Sequence, residues 1–139
     1  MNSRLTMGSI LMVGLILVSI ARAEPPVNVQ REVNFLLSYI GSSGCEFYRN
    51  GTWSDSKTAE THLRDKYNYL VAGNQINTTE DFIEKAATKS SLSGQSYKVR
   101  CHGSATVPSK QWLRDELTRI RAFRGLVCHE ERRKPFMLY

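Results

Sequence analysis

Two short segments of alternating polarity, each with a cysteine at one end, constrain the fold of this chain most strongly. In residues 45–49 and 96–101, apolar side chains occupy every second position, as in half-buried β-strands. If the strands pair antiparallel with the two cysteines opposite each other, Phe47 falls opposite Val99. This register makes one face of the pair apolar, as a buried face requires. We therefore predict that these strands are neighbours in an antiparallel sheet.

The first strand is followed by a hairpin signal. Asn50-Gly51 is a dipeptide that tolerates the positive φ angles of a type I′ turn. Thr52 and Trp53 then form a short return strand, in which Trp53 faces Tyr48 across the hairpin. The strand of residues 45–49 is consequently predicted to be central in the sheet.

Four amphipathic segments predict helices around this sheet. They cover residues 29–40, residues 57–71, a segment capped by Thr78 with Asp81 at the capping-box position, and residues 109–124. Arg121 and Arg124 lie on the polar, outer face of the last segment, and Gly125 is predicted to end it. The chain is therefore an α+β domain: a small antiparallel sheet of about three strands, including the Asn-Gly hairpin, packed with four helices.

Residues 1–23 have the three parts of a secretory signal peptide. Arg4 supplies a positive charge, residues 5–20 are uncharged and mostly apolar, and Ala21 and Ala23 are the small residues that a signal peptidase recognises. An uncleaved anchor is the alternative, but the apolar run is shorter than the roughly 20 residues of a full span. We expect an exported protein with no stable membrane span after cleavage. The domain boundaries are then 1–23 for the signal peptide, 24–125 for the domain, and 126–139 for a basic and apolar tail without regular structure.

Three cysteines follow the signal peptide, and cysteines usually pair in an oxidising compartment. The strand register favours a bridge between Cys45 and Cys101, and a bridge between Cys101 and Cys128 is the alternative. No spacing indicates a zinc site, because there is no Cys-x-x-Cys and the adjacent Cys128 and His129 cannot fill a tetrahedral shell alone. We expect neither a metal nor another cofactor.

The charge of the chain argues against a nucleic-acid partner. Removing Arg4 and Arg22 with the signal peptide lowers the formal net charge from +6 to +4, which is only mildly basic. A nucleic-acid-binding domain usually carries a dense basic patch.

Six polar residues are candidates for ligand binding. They are Arg49, His62, Lys66, Ser90, Ser91 and Ser93. A guanidinium after the first strand can bind a carboxylate or phosphate, and His62 and Lys66 share a helix face because they are four residues apart. The serine segment can line an anion pocket. The structural alternatives are an arginine that pairs with an acid, a histidine that donates to a backbone carbonyl, and serines that satisfy backbone groups of a turn.

Four motifs in this chain resemble those of a family of small exported proteins of Gram-negative bacteria, catalogued only as a domain of unknown function. They are Phe47-x-Arg49-Asn50-Gly51, His62-Leu63-x-x-Lys66, Ile76-x-Thr78-x-Glu80-x-Phe82-Ile83 and Ser90-Ser91-x-Ser93-Gly94-x-x-Tyr97-x-Val99. The resemblance covers roughly residues 33–123 and implies a periplasmic, compact α+β domain without a known activity. Because Cys128 lies beyond this region, we prefer the bridge between Cys45 and Cys101, with Cys128 unpaired.

These observations favour a non-catalytic module of the cell envelope that binds a partner protein or a small anionic ligand. The alternative is a small envelope hydrolase that uses His62 and a serine of residues 90–93, which requires His62 within about 3 Å of a serine hydroxyl. A structural accessory protein without a pocket is the third possibility.

The leader makes a direct prediction about the mature protein. Cleavage after Ala23 gives a chain whose first residue is Glu24. N-terminal sequencing of the exported protein is expected to begin Glu-Pro-Pro-Val. Purified protein that retains Met1 would contradict the prediction.

Overall fold

The computed structural model describes the backbone of residues 23–131 and the side chains of residues 23–125. It has the predicted α+β architecture, with an antiparallel sheet of four strands and four helices. The elements are α1 (Val27–Ser42), β1 (Glu46–Arg49), β2 (Thr52–Ser54), α2 (Ser56–Ala72), α3 (Thr79–Ala86), β3 (Lys98–Arg100), β4 (Val107–Pro108) and α4 (Ser109–Glu131). Residues 1–22 of the predicted signal peptide and the side chain of Cys128 lie outside the described residues.

The sheet has the strand order β2-β1-β3-β4, so β1 is an interior strand, as predicted. Phe47 is opposite Val99 in the β1–β3 pair, and Tyr48 is opposite Trp53 in the β1–β2 hairpin. Asn50 and Gly51 have positive φ angles of 49° and 86°, which are the angles that a type I′ turn needs. Local alternation and turn chemistry therefore determine the register of three of the four strands.

A disulfide between Cys45 and Cys101 closes one end of the β1–β3 pair, and this confirms the preferred pairing. The two Cα atoms are 4.3 Å apart and the residues are separated by 56 positions. In the chain-entropy account, closing a loop of this length stabilises the fold by about 4 kcal/mol. The alternative bridge between Cys101 and Cys128 is therefore wrong.

Two features differ from the sequence-based expectation. Val107 and Pro108 form an edge strand, β4, where a loop was expected; two residues are too short to show alternation, and proline is tolerated at an edge. Helix α4 continues through Gly125 to Glu131 instead of ending there. Gly125 does not have the positive φ of a helix-ending glycine, and a glycine within a helix costs only about 1 kcal/mol. The first six residues of the predicted tail are thus helical.

Helix α1 is the centre of the core, because it packs against α2, α3 and α4. Its apolar stripe is buried, and the ring of Phe82 in α3 is the largest side chain that is fully enclosed. The other large, fully buried side chains are Leu36, Leu37, Ile40, Ile83 and Leu113. The sheet packs its Phe47 and Val99 face against this helical layer.

A buried carboxylate on α1 joins three helices. The Glu32 side chain is only 8% exposed, accepts two hydrogen bonds from Arg121 at 3.0 and 2.7 Å, and accepts a third from Thr79 at 2.6 Å. Arg121 also pairs with Glu80 at 2.6 Å. Sequence analysis placed Arg121 and Arg124 on the outer face of α4. Arg121 is exposed there, with 44% of its side chain accessible, and its guanidinium nevertheless reaches across to α1 and α3. The Arg121 hydrogen bonds hold the pKa of Glu32 below its usual value despite burial.

Replacing Arg121 with glutamine is expected to lower the free energy of unfolding by about 2 kcal/mol, because the buried Glu32 carboxylate loses two charge-assisted hydrogen bonds. Among the described side chains, only the Arg124 guanidinium, 3.9 Å away, then remains as its cation. Urea unfolding monitored by circular dichroism measures the change. Because the folded-state pKa of Glu32 is lowered, its stabilisation is complete above the ordinary carboxyl pKa of about 4.3 and is lost as the pH falls below it. The difference between wild type and variant should therefore shrink in acid.

The matched control is Arg114→Gln, which removes a solvent-exposed pair with Glu84 on the same helix. Exposed pairs contribute up to about 1 kcal/mol. Equal effects of the two substitutions would contradict the role given to Glu32.

Candidate functional site

A recess opens between the β1–β2 hairpin and helix α2. Its floor is apolar and consists of Phe47, Ala59 and Leu63, which also belong to the core. Arg49 and His62 are polar groups of its wall. The other residues of the wall are Tyr48, Ser54, Thr58, Tyr97 and Ser109.

Local structure at the start of α2 positions the recess. The Asp55 carboxylate accepts a hydrogen bond from the Thr58 backbone N–H at 2.8 Å and so caps the helix. The Ser56 hydroxyl donates to the Gly41 carbonyl at 3.2 Å and fastens this first turn to the end of α1. The capped helix then presents Thr58 and His62, one turn apart, to the hairpin.

Tyr97 lies at the centre of the polar groups. Continuing the β1–β3 register by one residue places Arg49 opposite Tyr97. The Tyr97 hydroxyl is 3.4 Å from the Nε2 of His62, and the Nζ of Lys66 is 5.4 Å from the centroid of the Tyr97 ring. Lys66 also donates a hydrogen bond to the Lys89 carbonyl at 3.0 Å. Three basic side chains thus surround one tyrosine.

The environment of these side chains disfavours the protonated forms of His62 and Lys66. Burial lowers the pKa of His62, and the charges of Arg49 and Lys66 lower it further, while Asp65 acts in the opposite direction. Burial and Arg49 lower the pKa of Lys66 as well. Burial raises the pKa of Tyr97, so this residue remains a neutral phenol at physiological pH.

Among the described side chains, no carboxylate forms an ion pair with these basic groups. Within residues 23–125, the ion pairs join other side chains, and none includes Arg49, His62 or Lys66. The structural alternative for Arg49, a pairing with a nearby acid, is therefore not what the described part of the chain shows. For Lys66 the structural role is real, because its ammonium group holds the carbonyl of Lys89.

The three candidate serines lie outside the wall of the recess. The buried Ser90 hydroxyl oxygen accepts hydrogen bonds from the backbone N–H groups of Leu92 and Ser93, both at 3.3 Å. The Ser93 hydroxyl donates to the Asn50 side chain at 2.5 Å, and Ser91 is exposed. These serines shape a turn and attach it to the hairpin. Across the described side chains, His62 forms no hydrogen bond with a serine, so the hydrolase hypothesis lacks the contact that it requires.

Sequence analysis gave no site role to Tyr97 or Thr58. Tyr97 alternates with Val99 and Cys101, so it resembled an ordinary residue of the buried face. The register itself contains the missing signal, because it places Tyr97 opposite Arg49. Thr58 has no comparable signal, since the packing of α2 against the hairpin decides which helix residues reach the recess.

The fold and the recess define a small, disulfide-linked α+β domain with basic side chains grouped at one cavity. The chain belongs to DUF5329, a family of unknown function, whose profile matches residues 27–121. The matched segment includes every residue of the recess wall. No curated protein and no solved structure matches the chain.

Two further observations concern residues 23–131 alone. No helix there is long and apolar enough to cross a membrane. In the same part of the chain, no group of three or more histidine, cysteine or acidic residues is placed to bind a metal ion.

The charge of Arg49 has a measurable effect on His62. We expect Arg49→Gln to raise the pKa of His62, because it removes a nearby positive charge; an NMR titration of the His62 ring protons measures the shift. Since the folded-state pKa is lowered, His62 makes the wild type less stable as the pH falls below about 6.5, the value for an unfolded chain. Arg49→Gln should reduce this loss.

Arg100→Gln is the control for this titration, since Arg100 lies on the opposite face of the sheet, against Trp53 and Glu46. An unchanged His62 pKa in Arg49→Gln, or an equal shift in the control, would show that Arg49 does not act on His62.

Proposed function

We propose that this chain is an exported, non-catalytic binding domain of the cell envelope, and that its recess takes a small anionic group. The observation that carries the proposal is the grouping of Arg49, His62 and Lys66 around Tyr97, with no ion pair from any of the three to a described carboxylate. Like charges held together are unfavourable, and a bound anion relieves the repulsion.

The affinity of such an anion follows from the contacts that the recess offers. Arg49 can donate two parallel hydrogen bonds to a carboxylate. Because Arg49 is exposed and association itself costs free energy, we expect weak binding, with a Kd on the order of 1 mM or higher. Protonation of His62 adds a further positive charge when the anion is present.

Export to the periplasm is the second part of the proposal. The signal-like residues 1–23 and the resemblance to exported proteins of Gram-negative bacteria support it. The disulfide between Cys45 and Cys101 is consistent with it, because such bonds persist in oxidising compartments. A partner protein of the envelope can present the anionic group as readily as a free small molecule.

The recess favours binding over the two other possibilities. The hydroxyls of Ser90 and Ser93 are used by the turn, which leaves the hydrolase hypothesis without its nucleophile at His62. A structural accessory protein without a pocket does not account for the recess.

Titration of the mature protein with acetate, followed by NMR, tests the proposal. We expect chemical-shift changes at Arg49, His62 and Tyr97, and binding that tightens as the pH falls, because a bound anion raises the pKa of His62 and so takes up a proton. Arg49→Gln is expected to weaken binding at least tenfold, because the charge and both charge-assisted hydrogen bonds of the guanidinium are lost. Arg100→Gln should bind as the wild type does.

Two outcomes would refute the proposal. One is an absence of shift changes at the recess with both acetate and phosphate. The other is an equal loss of binding in Arg49→Gln and Arg100→Gln, which would indicate a general effect of surface charge.

A further inference from the structure

The apolar floor of the recess restricts the chemistry of the ligand in a way that the basic groups near its wall do not. Phe47, Ala59 and Leu63 are each at least 90% buried and supply an apolar surface directly beneath Arg49 and His62. A hydrated anion gains nothing from such a surface. A ligand with an apolar part next to its charge does gain, because each buried methylene tightens binding about fourfold.

The size of the recess limits that apolar part. The volume that the centre of a water molecule can occupy is about 50 Å³. One water needs roughly 10–15 Å³ on this measure, so the recess holds about four non-hydrogen atoms. That is about the size of an isopropyl group with its attachment carbon, so the part of a ligand that the recess encloses is small.

The three basic side chains around Tyr97 indicate how many negative charges the ligand carries. Arg49 is the one residue of the three whose side chain forms no ion pair or hydrogen bond with the described residues. The Lys66 ammonium is already engaged by the Lys89 carbonyl and the Tyr97 ring, and burial works against the protonation of His62. One cationic group that is free to bind matches a monovalent anion, and a planar guanidinium matches a planar carboxylate.

Together these observations lead us to propose that the recess binds a monocarboxylate carried on a small, branched apolar group. The carboxylate contacts Arg49 and the Tyr97 hydroxyl, and the apolar group lies on Phe47, Ala59 and Leu63. This inference rests on the proposed anion-binding function. The same chemistry is found in a free short-chain acid and at the C-terminus of a polypeptide that ends in a residue such as valine.

A ligand series on the wild-type protein tests the inference without any substitution. Isothermal titration calorimetry compares acetate, isobutyrate, the uncharged isobutyramide and inorganic phosphate. Isobutyrate is expected to bind about tenfold more tightly than acetate, because two more carbons are buried. Isobutyramide, which has the same shape without the charge, and phosphate are both expected to bind at least tenfold more weakly than isobutyrate.

The outcomes separate this inference from the proposed function. Equal binding of acetate and isobutyrate, or tighter binding of phosphate, would overturn the inference and leave the anion site intact. Absence of binding by all the anions would overturn both. Equal binding of isobutyrate and isobutyramide would show an apolar pocket without an anion site.

A substitution in the floor provides a second test. Ala59→Val fills part of the recess and is expected to abolish the advantage of isobutyrate over acetate while acetate still binds. The matched control is Ala72→Val, the same change at the exposed end of α2. If Ala59→Val keeps the advantage of isobutyrate, the floor does not hold the apolar group. If it does not fold, the ligand series on the wild type decides.

Two peptides distinguish the sources of the ligand. One ends in valine with a free carboxylate, and the other is identical but ends in an amide. If the peptide with a free carboxylate binds more tightly than isobutyrate, and the amide-terminated peptide binds weakly, the ligand is a polypeptide C-terminus. Isobutyrate that binds more tightly than both peptides identifies a free acid. Equal binding of the two peptides contradicts carboxylate recognition.

Discussion

The pairing of β1 with β3 is the constraint on which the rest of this structure depends. The disulfide between Cys45 and Cys101 closes one end of the pair. At the other end, the Ser93 hydroxyl holds the hairpin turn through Asn50. Strands of four and three residues form few backbone hydrogen bonds, so a covalent link at one end and a side-chain contact at the other stabilise a register that the ladder alone would hold weakly.

That register connects the fold to the site. It turns Phe47 and Val99 toward the helices, where the Phe47 ring packs edge-on against Trp112 of α4 with their centroids 5.6 Å apart. The same register brings Arg49 beside Tyr97. A shift of one residue would exchange the two faces of the strand and would separate the arginine from the tyrosine. The recess is thus a consequence of sheet pairing, completed by the capped first turn of α2.

Features that depend on local pattern could be predicted from the sequence. The alternation around Cys45 and Cys101 predicts the register, and Asn50-Gly51 predicts the turn. Features that depend on distant partners could not. Glu32 lies among polar residues, so it resembles an exposed position, and its partner Arg121 is 89 residues away. The proximity of Arg49 and His62 depends on the strand register and on the packing of α2 against the hairpin. The sequence pattern predicts the register but not the packing.

Phe47, Ala59 and Leu63 each have two functions, since they stabilise the core and also form the floor of the recess. A substitution there changes folding stability and cavity shape together, and large changes in buried volume cost several kcal/mol. Arg49 and Thr58 are exposed and carry no such penalty. Substitutions are therefore least costly to folding at Arg49 and Thr58, where they alter the charge and polarity of the recess and leave its apolar floor and its volume unchanged.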